Sequence, residues 1–126
     1  MSLKVIHSSS APSAVGPYSQ AIQAGNLIFL SGLVGLDPKT SDLVSGGFHK
    51  ELQQIFNNLQ VMLIAANATI NQIAKITVYL TSMNDFSVLN EMMRENLKEP
   101  FPARTTVMVA ALPKNAVVEF DVVVCV

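Results

Sequence analysis

The sequence predicts an α+β domain in which two amphipathic helices cover one face of a mixed sheet of five or six strands. Short runs with an apolar residue at every second position, typical of strands with one buried face, flank two segments whose apolar residues repeat at helical spacing. A chain of 126 residues is also long enough for one hydrophobic core and too short for two. We therefore expect residues 1–126 to form a single domain.

The first third of the chain is predicted to consist of strands and turns. A short strand is expected around residues 3–6, followed by a loop over residues 7–17 that is rich in serine, proline and small residues. Gly25-Asn26 separates two short alternating runs and tolerates positive φ, which predicts a hairpin. The segment DPKTSD that follows predicts a further turn, with Pro38 at a favoured position.

The apolar spacing changes to a helical period at residue 48. Apolar residues then recur at intervals of three and four over residues 48–66, which predicts a helix of about five turns. Residues 75–81 alternate apolar and polar side chains and predict a strand. Ser82 and Asp85 have the spacing of a capping box, so a second helix is expected to follow and to end before Pro100.

Two strands, residues 104–111 and 117–126, are predicted at the end of the chain and would form a hairpin about Lys114. The final strand is apolar on both faces. Because two helices can cover only one face of the sheet, we expect the other face to pack against neighbouring subunits. The charged fraction supports an oligomer independently, since it is 13% where a typical globular domain carries about 25%.

Charge and hydropathy exclude two classes of partner. The net charge is −1 and the eight Lys and Arg residues are scattered, so we expect no binding of nucleic acid. No apolar run approaches the ~18 residues that span a bilayer, and the first residues lack the features of a signal peptide. A single cysteine, Cys125, cannot form an internal disulfide. The simplest expectation is a cytoplasmic protein without a membrane partner.

Metal and cofactor sites are not expected either. His7 and His49 are isolated, with no second His, Cys or carboxylate at ligand spacing. The chain has no glycine-rich phosphate loop. Cys125, near the end of an apolar strand, is interpreted as a packed thiol.

Two charged residues lie in segments that otherwise have the pattern of buried strands. Arg104 opens PARTTVMVAAL, and Glu119 interrupts VVEFDVVV. A charge in such a setting needs a partner or a ligand, so the two residues either form a structural ion pair, with each other or with Asp121, or belong to a binding site. In the predicted hairpin Arg104 faces residue 124 and lies about 17 Å from Glu119. They could then share a site only across a subunit interface.

The chain resembles the RidA (YjgF) family of reactive intermediate deaminases over residues 11–123. The resemblance is carried, in this order, by APSAVGPYSQA from residue 11, GNLIFLSG from residue 25, KITVYLTSMNDF from residue 75, the helix around Asn90 and PARTTVMVAALPKNAVVEF from residue 102. It implies a chorismate-mutase-like α+β fold and a homotrimer with a barrel-like core and clefts between neighbours. It also implies hydrolysis of 2-imino acids, derived from 2-aminoacrylate and 2-aminocrotonate, to pyruvate or 2-oxobutanoate and ammonia, without a cofactor.

The resemblance further implies which residues form the site. Arg104 would bind the substrate carboxylate through two charge-assisted hydrogen bonds, and Glu119 would orient or deprotonate the attacking water. Tyr18 would wall the pocket, and Asn90 would support the arginine. The remaining implied residues would contribute hydrogen bonds around the imine; they are Ser31, Gly32 and Thr106.

Several positions depart from the family pattern. Many bacterial members have Cys where this chain has Thr106, a Gln is usual at Glu51 and after Ser31-Gly32, and a Pro is common at Gly35. None of these changes touches Arg104 or Glu119, but they leave the preferred imino acid open. Two alternatives also remain: a non-enzymatic chaperone-like or RNA-cleaving role, and another reaction in the same cleft, such as a mutase acting on a dicarboxylate. A single arginine that binds a carboxylate favours a substrate with one carboxylate group.

Overall fold

Six strands form one mixed sheet in the computed structural model, which describes residues 2–126. In chain order the elements are β1 (Leu3–Ile6), β2 (Ala21–Ala24), β3 (Leu27–Leu30), α1 (Phe48–Ala65), β4 (Ile73–Leu80), α2 (Phe86–Asn96), β5 (Ala103–Met108) and β6 (Val118–Cys125). The order across the sheet is β1-β2-β3-β6-β4-β5. Neighbouring strands are antiparallel except β4 and β5, which are parallel. The predicted α+β class is confirmed.

Local sequence signals account for most element boundaries. Gly25 has φ 63°, and the pairing of Ala24 with Leu27 leaves Gly25-Asn26 as the two-residue loop of the predicted hairpin. The helix α1 has 18 residues, the five turns expected from its apolar period. The capping box before α2 is not formed as predicted, because the Ser82 hydroxyl accepts from the Asn84 N–H at 3.2 Å and caps a short 3-10 turn, Met83–Asp85, that leads into α2.

The hydrophobic core lies between the two helices and one face of the sheet. Alternate residues of β4 and β6 are fully buried there; they are Ile76, Val78, Leu80, Val118, Phe120, Val122 and Val124. The ring of Phe56 from α1 meets Phe120 edge-on, with 5.4 Å between ring centroids. This core fixes which face each strand residue presents to the helices.

The predicted hairpin between the last two strands is wrong. The strand β4 lies between β5 and β6, paired in parallel with β5 and antiparallel with β6. The helix α2 provides the crossover that a parallel β4–β5 pair requires. Most of β5 is exposed, as befits an edge strand, whereas the apolar β6 occupies the centre of the sheet. Its apolar composition therefore reflects a central position.

The second face of the sheet is open in the single chain. On β6 it carries Asp121 and Cys125, which are exposed, and Glu119 and Val123, which are half-buried. This is the face that the sequence predicts to pack against neighbouring subunits, and one chain alone does not bury it. The same open face carries exposed apolar side chains from other strands; they are Leu3, Val5, Leu27, Phe29 and Val107. Among residues 2–126, neither helix has the length and apolarity needed to cross a membrane.

Candidate functional site

The two charged residues singled out in the sequence point to opposite faces of the sheet. Arg104 on β5 is paired with Ile76 of β4, and Glu119 on β6 is paired with Tyr79 of the same strand. Because paired residues share a face and side chains alternate along a strand, positions three residues apart in β4 mark opposite faces. Arg104 therefore lies on the helix side and Glu119 on the open side.

The distance between the two residues leads to the same conclusion. They are two strand spacings apart across the sheet, about 10 Å, and three residues apart along it, about 10 Å, so their Cα atoms are about 14 Å apart. In the predicted hairpin the separation is similar, about 17 Å, although the strand pairing there is wrong. With the sheet itself between the two side chains, Arg104 and Glu119 of one chain cannot both contact one small ligand.

The helix α2 holds the Arg104 side chain. Its Nη1 donates to Asn90 Oδ1 at 2.6 Å and approaches Met93 Sδ at 3.2 Å. The guanidinium carbon lies 5.4 Å from the centre of the Phe86 ring, within the range of a cation–π contact. Arg104 is nevertheless exposed, and these contacts leave donors of the guanidinium free for a ligand. The structural ion pair with Glu119 is not formed in the described chain.

A cavity of about 230 Å³ surrounds Arg104, and its walls include Asn90, Leu97 and Phe101. Thr106 follows Arg104 on the same face of β5 but does not line this cavity. The Thr106 Oγ1 atom is buried and has no hydrogen-bond partner within residues 2–126. A buried hydroxyl without a hydrogen-bond partner costs free energy, so the Thr106 hydroxyl is free to form a hydrogen bond with a ligand near Arg104.

Glu119 lines a separate and larger cavity of about 350 Å³. Tyr18, Ser31, Gly32 and Leu33 form its walls on the side of β3 and the loop before β2. The predicted site residues are therefore divided into two groups. The arginine group comprises Asn90 and Arg104, which line one cavity, and Thr106, which lies on the same face of β5; the glutamate group comprises Tyr18, Ser31, Gly32 and Glu119.

The environment of Glu119 favours the protonated form. Partial burial raises the pKa of its carboxyl above the ordinary value, and the nearby negative charge of Asp121 raises the pKa further. A carboxylate whose pKa lies closer to neutral pH is a stronger base than an exposed one. Glu119 is therefore suited to take a proton from water.

Gly32 makes room for the Glu119 carboxylate. A Cβ atom added at Gly32 would lie 2.7 Å from Glu119 Oε2 and 3.0 Å from its Cδ, closer than side chains approach. The Gly32 backbone does not have the positive φ that favours glycine. The contact with Glu119 is thus the structural reason for a glycine here.

Backbone groups hold the other two side chains of the glutamate group. The Ser31 hydroxyl donates to the Ser19 carbonyl at 2.6 Å, which leaves its oxygen free to accept a hydrogen bond. The Tyr18 hydroxyl accepts from the Val15 N–H at 3.3 Å, while about half of its side chain, 53%, is exposed. Both side chains are therefore oriented by backbone groups of the loop before β2.

The structure also brings two residues to this cavity that the sequence reasoning did not assign. Gln20 ties down the loop before β2, accepting from Ser8 N–H at 2.8 Å and donating to the carbonyls of Ser8 and Pro12 at 3.0 and 2.8 Å. Lys114 Nζ donates to the Ser41 carbonyl at 2.9 Å. Gln20 belongs to the quoted motif GPYSQA, so the sequence contained a signal that could have identified it. The sequence contained no such signal for Lys114, because its partner Ser41 lies 73 residues away.

Candidate metal ligands do not cluster. Among residues 2–126, no three His, Cys, Asp or Glu side chains lie close enough together to hold a metal ion. The polar groups that line the two cavities include the Glu119 carboxylate, the Arg104 guanidinium, the Lys114 ammonium and several hydroxyl and amide groups.

Comparison with known proteins supplies the family. Residues 8–126 match the family model described as Endoribonuclease L-PSP. The chain is 41% identical over 121 residues to the 2-iminobutanoate/2-iminopropanoate deaminase of Dermatophagoides farinae, covering 96% of this chain and 94% of that protein. It is 44% identical over 120 residues to the protein of the same name from Mus musculus, covering 95% and 89% of the two chains.

A solved structure agrees in fold over the whole chain. The crystal structure of RidA from an Antarctic Psychrobacter bacterium superimposes with a TM-score of 0.94 at 44% identity, covering 98% of this chain and 99% of that one. The family model matches residues 8–126, and the two deaminases are more than 40% identical to this chain over nearly the full length. These matches agree on the family. The chain belongs to the RidA (YjgF, L-PSP) family.

Proposed function

We propose that the chain hydrolyses 2-imino acids, derived from 2-aminoacrylate and 2-aminocrotonate, to 2-oxo acids and ammonia. The observation that carries this proposal is the presence in one chain of both an exposed, amide-supported arginine and a cavity-lining carboxylate of raised pKa. The deaminase names of the relatives from Dermatophagoides farinae and Mus musculus support the same reaction.

Arg104 binds the substrate carboxylate. A guanidinium is planar and presents parallel N–H donors that match the two oxygens of a carboxylate. Because Asn90 Oδ1 already accepts from one nitrogen, the guanidinium plane is set before substrate arrives.

Glu119 activates the attacking water. Its carboxylate takes a proton as the water oxygen bonds to C2 of the protonated imine, which gives a carbinolamine. The proton then passes from Glu119 to nitrogen, and the C–N bond breaks. Ammonia leaves as the carboxylate of Glu119, again ionised, takes the hydroxyl proton and the C2–oxygen bond becomes a carbonyl. An iminium carbon is strongly electrophilic, so one base and correct positioning account for the reaction without a metal or other cofactor.

Tyr18, Ser31, Gly32 and Thr106 surround the imine. The free lone pairs of Ser31 Oγ accept from the imine nitrogen, and the unpartnered Thr106 hydroxyl lies on the arginine side. Tyr18 closes the cavity wall.

Each site joins two subunits of a homotrimer with a barrel-like core. Arg104 and Glu119 of one chain face opposite sides of the sheet, so a complete site needs the arginine group of one chain and the glutamate group of its neighbour. The open sheet face supports such an assembly, because Leu3 and Val5 are 67% and 62% exposed there and Phe29 is 44% exposed. Apolar surface of this kind favours burial against another subunit.

The charge pattern gives no support to RNA cleavage, although the family model is described as an endoribonuclease. A net charge of −1 with scattered cations provides no electrostatic footprint for phosphates.

The proposed activity is tested by coupling the protein to a threonine dehydratase. The expected result is release of 2-oxobutanoate and ammonia faster than the spontaneous hydrolysis in buffer. Glu119→Gln is the matched control, because it keeps the side-chain shape and cannot take a proton; we expect a loss of about 10²-fold or more. No acceleration over buffer by the unmodified trimer would disprove the proposed function.

A further inference from the structure

Glu51, in the first turn of α1, is a buried carboxylate that the proposed reaction does not use. Its side chain is 4% exposed. The loop after β3 packs directly on its backbone, since a Cβ atom at Gly35 would lie 2.7 Å from the Glu51 carbonyl oxygen. Its Oε1 accepts a hydrogen bond from the Val117 N–H at 2.9 Å. The helix, the loop after β3 and the entry to β6 therefore meet at this one residue.

The hydrogen bond from Val117 fixes the start of β6. The Val117 carbonyl accepts from Thr81 N–H at 3.2 Å, and Glu51 supplies the acceptor for its N–H. The turn before it is strained, because Lys114 and Asn115 both have φ 59°, a region that disfavours residues with a Cβ atom. Without the Glu51 acceptor, the N–H would be left unsatisfied and the strained turn could relax by moving the strand entry.

Glu119 lies between this attachment and a second one. Phe120 exchanges two backbone hydrogen bonds with Leu33, at 2.8 and 2.9 Å. Gly32, the residue before Leu33, is the one against which the Glu119 carboxylate rests. The position of that carboxylate in the cavity therefore depends on both attachments, one on each side of it along β6.

We propose that Glu51 is a positioning residue for Glu119, acting through the Val117 backbone to hold the carboxylate against Gly32. The inference rests on the proposed role of Glu119 in activating water. The requirement is for a hydrogen-bond acceptor of the right length, not for a charge. A glutamine, which offers the same oxygen at the same reach, should therefore replace Glu51, and an apolar side chain of equal length should not.

The test compares Glu51→Gln with Glu51→Met in the whole trimeric protein. Glu51→Gln should keep kcat and KM within about 3-fold of the unmodified protein. Glu51→Met should lower kcat by about 10- to 100-fold while KM changes less than about 3-fold, since a displacement of about 1 Å at a catalytic group can cost 10²-fold. Rescue by the amide, together with a loss confined to kcat, separates positioning of Glu119 from general destabilisation.

Asn58→Leu is the matched control. Asn58 is also on α1, is 1% exposed, and donates from its amide to the Leu36 carbonyl at 2.9 Å, so it makes a comparable bond that does not involve β6. Its loss should lower the thermal midpoint about as much as Glu51→Met does and leave kcat within about 3-fold. Glu51→Asp, shorter by one methylene, replaces Glu51→Met if the latter does not fold.

Equal kcat values for Glu51→Met and Glu51→Gln would overturn the inference, as would an equal loss of kcat in Asn58→Leu. Amide hydrogen exchange provides a readout independent of catalysis: exchange at residues 117–120 should accelerate in Glu51→Met and stay unchanged in Asn58→Leu and Glu51→Gln. If Glu119→Gln hydrolysed imines at the unmodified rate, the proposed role of Glu119 as the base would fail, although imine hydrolysis itself would stand. Amide hydrogen exchange at residues 117–120 would then be the only test of whether Glu51 fixes the start of β6.

Discussion

A site divided between two chains predicts complementation between two inactive variants. Arg104→Ala removes the proposed carboxylate-binding group, and Glu119→Ala removes the proposed base. Because these residues lie on opposite faces of the sheet and about 14 Å apart in one chain, we expect each active site to draw them from different subunits. One variant can then supply the arginine that the other lacks.

The expected recovery follows from random mixing in a closed cyclic trimer. A working site needs an intact Arg104 on one chain and an intact Glu119 on its neighbour across the same interface. Each condition is met with a probability of about one half, so about a quarter of the interfaces are complete. Two residues within one chain would give no complete site at any mixing ratio.

The assay unfolds the two variants, refolds them together at equal amounts and measures imine hydrolysis. Each variant refolded alone serves as the control and should stay inactive. We expect the mixture to recover about a quarter of the activity of unmodified protein refolded in the same way. A mixture that stays inactive, although mass spectrometry detects mixed trimers, would refute the assignment of the two groups to different subunits.

Three further predictions concern single residues. Arg104→Lys should lower kcat/KM by about 30- to 1000-fold, about 2–4 kcal/mol, because the ammonium of lysine cannot form the two parallel hydrogen bonds of a planar guanidinium. Sedimentation should show an intact trimer. Near-normal turnover would exclude carboxylate binding by Arg104. Gly32→Ala should lower kcat by about 10- to 100-fold, because its Cβ would lie 2.7 Å from Glu119 Oε2 and would displace the carboxylate. Glu119→Asp in the same chain should restore part of the lost activity. Asp121→Asn removes a negative charge that raises the pKa of Glu119, so that pKa should fall toward its ordinary value. Since the base must be ionised, the acid limb of the kcat/KM profile should then move to lower pH; an unchanged limb would mean that Glu119 is not the titrating group.

Much of the fold could be predicted from local patterns in the sequence. The hairpin at Gly25-Asn26, the five turns of α1 and the strand β4 each follow from backbone preference and apolar spacing within a few residues. Arg104 and Glu119 were identifiable for a related reason: a charge inside an apolar strand pattern contradicts its surroundings and therefore marks a partner or a ligand. The remaining site residues came from the resemblance to the RidA family.

The sequence by itself thus determined the elements, their faces and the two charged residues that matter. Only the tertiary structure decided which strands are neighbours, because strand pairing is a choice among distant segments that local spacing does not encode. Placing β4 between β5 and β6 separated Arg104 and Glu119 by two strand spacings, where a hairpin would have paired their strands directly. The bond from Val117 to Glu51 joins residues 66 positions apart, and it exists only because the core packs α1 against the entry to β6.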